Sequence, residues 1–433
     1  MRPHLLIGQT LRFLDDPFVT TPCSAVCHEE RGAVVLQDGR IVACGTAEDL
    51  AAKYPDSERD DYGRSLILAG FIDPHVHYPQ TAIIASWGKR LLDWLNDYTF
   101  PEEAKFSDPD YASCMARQYL RQLIDHGTTT VCTYCTSHAA SVDAFFVEAE
   151  RLNMRVLAGK TCMDRNVPDA LRDTPTSGYQ DSKSLLEKWH NKGRLSYVIT
   201  PRFALTSSPG QLEQLGQLWS EYPECLLQTH LSEQLEEIAE VKRLFPAARD
   251  YLDVYDGFGL VRERSLFGHA IHLNDREQAR LRDAGSALIH CPTSNLFIGS
   301  GLFDMSGLKS PGQPVGLATD IGGGSSYSML RTMAAAYEIS QLKGHALHPS
   351  QLVWLATSAN ARTLHLDSSI GNLAPEREAD IIVLDLYSTE SIAARAARAE
   401  SFWEELFPTI MMGDDRAIEA VWVAGRQLKP WPD

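Results

Sequence analysis

His75 and His77 stand one residue apart in the stretch FIDPHVHYPQ, residues 71–80. On a strand, residues i and i+2 point the same way, so the two imidazoles would leave one face together. A His-x-His pair is a weak signal on its own, because a single histidine is more often a satisfied surface or core residue than a ligand. The rest of the chain adds to it. QTHLSE carries His230 and Glu233, GHAIH carries His269, and ATDIGG carries Asp320. Each of these polar residues closes an apolar run. Imidazoles joined by a carboxylate are a donor set for Zn²⁺, with Fe²⁺ as the alternative. Reading the set as incidental requires a separate coincidence at each run end.

The elements that must position these residues are eight apolar runs. They are SLILAGFIDPHVHY, GTTTVCTYCT, RVLAGKTCMD, LSYVITPRFAL, CLLQTHLSE, SLFGHAIHL, ALIHCPTSN and PVGLATDIGG. Segments with helical spacing lie between them, among them PDYASCMARQYLRQLID, SVDAFFVEAERLN, SPGQLEQLGQLWSEY and DREQARLRDAG. Near-continuous apolar strands suit a parallel sheet covered on both faces. Eight of them with helical returns predict an α/β chain built on a (β/α)₈ TIM-like barrel, whose chemistry belongs at the C-terminal strand ends. A doubly wound open sheet is the competing arrangement. The strand count and the polar run ends favour the barrel.

The chain ends read differently. AVVLQDGRIVACG, ADIIVLDL and AIEAVWVAGRQLK are short strands with turns, too few at either end for a separate core. They predict one small β-sandwich made of residues 1–66 and 368–433, with the barrel over residues 67–367 inserted between. The stretch from Pro79 to Ser107 is a long connection after the first strand, of the kind that shapes a barrel's substrate site.

With 44% hydrophobic and 22% charged residues, the 433-residue chain has globular composition. Its formal net charge is −17 and no long Lys/Arg run occurs, which argues against nucleic acid or an anionic membrane as partner. No signal-peptide pattern and no bilayer-length apolar run are evident. Nine scattered cysteines, an odd number, fit a reducing cytoplasm better than a disulfide framework.

The motifs HVH, HLSE, GHAIHL and ATD, in this order, resemble the amidohydrolase superfamily. FIDPHVHYPQ, LLDWLNDYTFPEE, GKTCMDRN, ITPRF, HCPTSN and TDIGGGSSYSML are similar to the guanine deaminase family within it. The resemblance runs over nearly the whole chain, and the LLDWLNDYTFPEE block is its most family-specific part. It implies one metal ion held by His75, His77, His230 and Asp320. It also implies Glu233 as general acid/base, and His269 as the histidine that positions a metal-activated hydroxide alongside Asp320. The implied reaction is hydrolysis of guanine to xanthine and ammonia, by a cytoplasmic homodimer using Zn²⁺ or Fe²⁺. Arg202 in TPRF would donate twice to guanine O6 and N7. Gln80 would bond the purine edge and Phe203 would stack on the base. Trp87, Leu92 and Trp94 are expected to wall the pocket, with a tryptophan folded onto its own barrel as the equal alternative. Asp164 and Asn166 either support the site or form a turn network.

Several other residues stand outside this set. Lys160 reads as structural or supporting. Cys132 and Cys135 read as buried small side chains rather than a redox pair. His290 reads as structural, and His272 yields to His269. The GSG and IGGG stretches lack the lysine and spacing of a phosphate loop. Glu376 occupies the second glycine position of a turn pattern common near amidohydrolase C-termini. Two other readings stay open here. One is an enzyme of the same fold acting on another aminopurine, a pterin or a triazine. The other is a non-catalytic scaffold.

Overall fold

The structure, a computed structural model, describes residues 2–87, 90–308 and 312–431. The strands in chain order are β1 (His4–Phe13), β2 (Val26–Gln37), β3 (Arg40–Thr46), β4 (Glu58–Ala69), β5 (Phe71–His77), β6 (Thr128–Tyr134), β7 (Arg155–Gly159) and β8 (Thr161–Cys162). They continue with β9 (Leu195–Pro201), β10 (Leu226–Leu231), β11 (Ser265–His269), β12 (Ala287–His290), β13 (Val315–Leu317), β14 (Ile381–Leu384), β15 (Ile418–Val423) and β16 (Arg426–Lys429). Two compact units result, one of Met1–Asp73, Arg121–Thr130 and Ser328–Asp433, the other of Pro74–Leu120 and Val131–Tyr327.

The barrel reads β5-β6-β7-β9-β10-β11-β12-β13, with β8 paired to β9. Its pairings from β7 to β13 are parallel, as near-continuous apolar strands require. The two edges meet through main-chain bonds: Asp320 N–H donates to the His75 carbonyl at 3.1 Å, and His77 N–H to that of Ile321 at 2.5 Å. All eight expected strands are present. The expected helices also form, including Pro109–Asp125, Ala139–Leu152, Pro209–Glu221 and Asp275–Ala284. The last is signalled at both ends. Asn274 and Glu277 make a capping box, and Gly285 takes the left-handed cap at φ 67°.

Two runs divide. SLILAGFIDPHVHY splits into the end of β4 and all of β5, with Gly70 between them. A Cβ at Gly70 would lie 2.2 Å from Thr129 Oγ1, so the chain can change sheets there only without a side chain. RVLAGKTCMD breaks at Lys160, between β7 and β8. The buried ammonium of Lys160 is held by both Asp173 oxygens at 2.7 and 2.6 Å, a structural ion pair as expected.

The chain ends meet in one seven-stranded sheet, β16-β15-β14-β4-β1-β2-β3. Its strands share a core in which Val34 and Ile41 from one side join Ile381 and Trp422 from the other. Glu376 sits at φ 71°, in the left-handed region that favours glycine, with a side chain present.

Candidate active site

The four residues expected to hold a metal converge within the second unit, at barrel strand ends. His77 Nε2 lies 3.3 Å from His230 Nε2 and 3.4 Å from Asp320 Oδ1, and His75 Nε2 lies 3.5 Å from Asp320 Oδ1. Ligands about 2.0–2.1 Å from a tetrahedral Zn²⁺ stand roughly 3.3–3.4 Å apart, so these spacings match the edges of such a site. Both ring nitrogens of His75 are buried with no hydrogen-bond partner, an arrangement whose cost a bound cation would remove. His230 Nδ1 meets the Arg202 carbonyl at 2.7 Å, which puts its proton there and leaves Nε2 as a lone pair toward the centre.

Electrostatics agree with a cation at this point. Burial, reinforced by neighbouring imidazoles, holds His75, His77 and His230 well below the usual histidine range, so all three are neutral imidazoles. Burial, with Glu233 adding and His269 opposing, pushes Asp320 up to about 7. Packing is equally tight. Tyr134 stacks on His77 with ring centroids 4.4 Å apart and meets His75 edge-on at 5.0 Å. A Cβ at Gly268 would lie 2.3 Å from His75 Cε1. Ser232, His269 and Asp320 adopt φ of 50, 66 and 52°. Left-handed backbone costs a non-glycine residue about 1–3 kcal/mol, and three such residues cluster at these strand ends.

The proton-handling candidates adjoin this cluster. His269 Nε2 lies 3.5 Å from Glu233 Oε2 and 3.7 Å from Asp320 Oδ2. Its Nδ1 meets Asn295 Oδ1 at 2.9 Å. Burial acts to lower the His269 pKa, but the Glu233 and Asp320 carboxylates outweigh it and the net shift is upward. Cys291 also comes within ligand reach of His75, His269 and Asp320. His290 points elsewhere: it stacks on Phe303 at 4.6 Å and burial pushes it down to about 3.

A cleft opens over these groups, lined on its polar side by residues that include Gln80, Arg202, Glu233, His269 and Asp320. Arg202 is buried and its Nη1 donates to Glu103 Oε1 and Oε2 at 3.0 and 2.7 Å. Gln80 Nε2 donates to Glu103 Oε1 at 2.9 Å, and Gln80 Oε1 accepts from Gly322 N–H at 3.2 Å. Glu103 thus fixes both expected purine contacts. Phe203 lines the same cleft. The other wall departs from expectation. Trp87 is 85% exposed, and neither it nor half-buried Leu92 lines the cleft. Trp94, also expected there, does line it, joined by Leu91 and Leu95, because i, i+3 and i+4 share a helix face and Leu92 is turned off it.

The remaining candidates are structural. Asp164 accepts from Ser208 N–H at 2.6 Å and from its hydroxyl, and Asn166 Nδ2 donates to the Leu205 carbonyl at 2.8 Å, so the turn-network alternative holds. Cys132 and Cys135 are buried free thiols. Sequence reading missed Glu103, Asn295, Tyr134 and Cys291. Glu103 and Asn295 lay inside the quoted blocks LLDWLNDYTFPEE and HCPTSN, but nothing local marked them out.

The amidohydrolase family profile matches residues 66–428, and a bacterial imidazolonepropionase-like composite domain matches residues 32–56. The guanine deaminase of Escherichia coli (strain K12) is 42% identical over 416 residues, covering 96% of this chain and 94% of that protein. A solved structure of E. coli guanine deaminase superposes with a TM-score of 0.95 at 41% identity, covering 98% of this chain and 99% of that one. The crystal structure of guanine deaminase from C. acetobutylicum with bound guanine in the active site has a TM-score of 0.89 at 29% identity, covering 98% of this chain and 99% of that one. The chain therefore belongs to the amidohydrolase family and, within it, to the guanine deaminases.

Proposed function

We propose that this chain hydrolyses guanine to xanthine and ammonia, with a single zinc ion held by His75, His77, His230 and Asp320. The observation that carries the reading is the meeting of two constellations in one cleft. One is the neutral imidazole cluster, with partnerless His75 and a buried carboxyl. The other is the Arg202–Glu103–Gln80 network, whose free donors match a purine edge. Full-length likeness to guanine deaminases supports the choice of substrate.

A zinc ion at these residues supplies Lewis acidity, which makes water acidic enough to react near neutral pH. The chain does the rest. Arg202 spends Nη1 on Glu103 and offers its other N–H groups to O6 and N7, while Gln80 fixes the ring edge and Phe203 packs against its face. C2 is thereby held toward Glu233. Glu233 takes the proton of the attacking water and delivers it to N3, and a second transfer to the exocyclic amine lets ammonia leave. A C–O bond forms at C2 and its C–N bond breaks, with no redox change. His269, held through Nδ1 by Asn295, turns Nε2 to the attacking oxygen. Leu91, Trp94, Leu95 and Ile298 exclude bulk water from the cleft.

A homodimeric state follows from the family resemblance. The eight cysteines whose side chains are described are free thiols, which supports a reducing, cytoplasmic setting. No helix among the described residues is long and apolar enough to cross a membrane.

The deciding assay is ammonia release from guanine by purified protein, with metal content measured on the same sample and chelated protein as control. Release with xanthine as co-product, abolished by chelation and restored by Zn²⁺, is expected. Metal-loaded protein that leaves guanine untouched while turning over another amino-heterocycle would move the substrate.

Zinc loading itself should depend on pH. In the metal-free protein burial raises Asp320 to about 7, so below that pH the metal must displace its proton. The imidazoles, already neutral, add little. Affinity is expected to rise about tenfold per pH unit up to neutrality and then level off. Competition titrations with a zinc indicator across pH measure this; a flat profile would remove Asp320 from the ligand set.

A further inference from the structure

The GSG stretch and His272 meet at Ser300, beside Glu233. Ser300 is buried, and its Oγ lies 2.8 Å from Glu233 Oε1. The direction of that bond is fixed. Gln234 Nε2, which can only donate, reaches the same Oγ at 3.1 Å, so the one hydroxyl proton of Ser300 goes to the carboxylate. Ser300 is itself tied on both sides. Its N–H donates to the Asn295 carbonyl at 2.8 Å, and its carbonyl accepts from His272 Nε2 at 2.9 Å. The flanking glycines give the loop its shape, with φ of 73° at Gly299 and 140° at Gly301. The backbone of Glu233 is pinned from the other side, where Glu237 Oε2 accepts from the N–H groups of Glu233 at 2.9 Å and Gln234 at 3.1 Å.

We propose that Ser300 is a positioning residue that decides which oxygen of Glu233 handles protons. Its hydroxyl occupies Oε1, so Oε2, 3.5 Å from His269 Nε2, is the oxygen that exchanges protons in the cleft. Ser300 does not line the cleft, so it acts through Glu233 and not on the substrate. A carboxylate free to rotate would present either oxygen and spend part of its time misdirected. A small misplacement of a reacting group costs up to about a hundredfold in rate. The inference rests on Glu233 as the proton carrier.

The test compares kcat, KM, zinc content and Tm for Ser300→Ala, Ser300→Cys and Ser300→Thr, beside Glu233→Gln. Ser300→Ala is expected to lower kcat by roughly tenfold to a hundredfold with KM and zinc content unchanged. Ser300→Cys keeps the volume with a weak donor and should fall with it, which preserves the test if the alanine variant does not fold. Ser300→Thr keeps the hydroxyl and should recover most of the rate. A cysteine variant as fast as wild type would overturn the proposal in favour of packing, as would an unchanged kcat in Ser300→Ala while Glu233→Gln is inactive. Normal turnover by Glu233→Gln would instead remove the proton-carrier reading, and this inference with it.

Discussion

Glu233→Gln is expected to retain zinc and lose turnover, with kcat down by roughly 10³-fold, within the range that general acid–base catalysis supplies. Glu233 is buried beside His269 and is not among the grouped residues able to hold a metal, so the proposed ligands do not need its charge. A glutamine oxygen can still accept from Ser300 at the Oε1 position, so the side chain keeps its place. What it cannot do is take a proton from water and pass it to a ring nitrogen. Elemental analysis and steady-state rates on one preparation separate the outcomes. A variant with full zinc and wild-type kcat would take Glu233 out of the mechanism. One that loses its zinc would make Glu233 a ligand.

Arg202→Ala should show two losses with different origins. Guanine use should fall, with kcat/KM down at least about 10²-fold, since hydrogen bonds from a charged donor contribute about 1.5–3 kcal/mol each. Stability should fall too. Glu103 is 1% exposed, and removing its guanidinium partner strands a buried carboxylate, which costs about 3–5 kcal/mol. The double variant Arg202→Met with Glu103→Leu distinguishes them. Deleting both charges should recover most of the stability by chemical denaturation and none of the guanine activity. Unchanged kcat/KM in Arg202→Ala would sink its substrate role whatever the stability does.

The sequence by itself determined the barrel and the cluster of polar residues at its strand ends, because both are written in local patterns. Each strand is a run of apolar residues closed by a turn or helix signal, legible without knowing what it pairs with. A barrel then sends every strand's C-terminal residues to one face. His75, His77, His230, Glu233, His269 and Asp320 could thus be grouped from position alone. The boundaries were less legible. Gly70 divides one apolar run between two sheets, and only the approach of Thr129 shows why.

Tertiary structure alone decided the supporting contacts. Glu103 meets Arg202 across 99 positions, Ser300 meets Glu233 across 67, and Asn295 meets His269 across 26. No periodicity links such residues. Their partners are chosen by how loops fold over the strand ends, and loops carry few local constraints. The same holds for the cleft wall. Of Trp87, Leu92 and Trp94, only Trp94 lines the cleft, and Leu91 and Leu95 join it because packing sets which helix face turns inward. Residue type and strand position tell where the chemistry can be; the long-range packing of loops tells which oxygen, which nitrogen and which wall it uses.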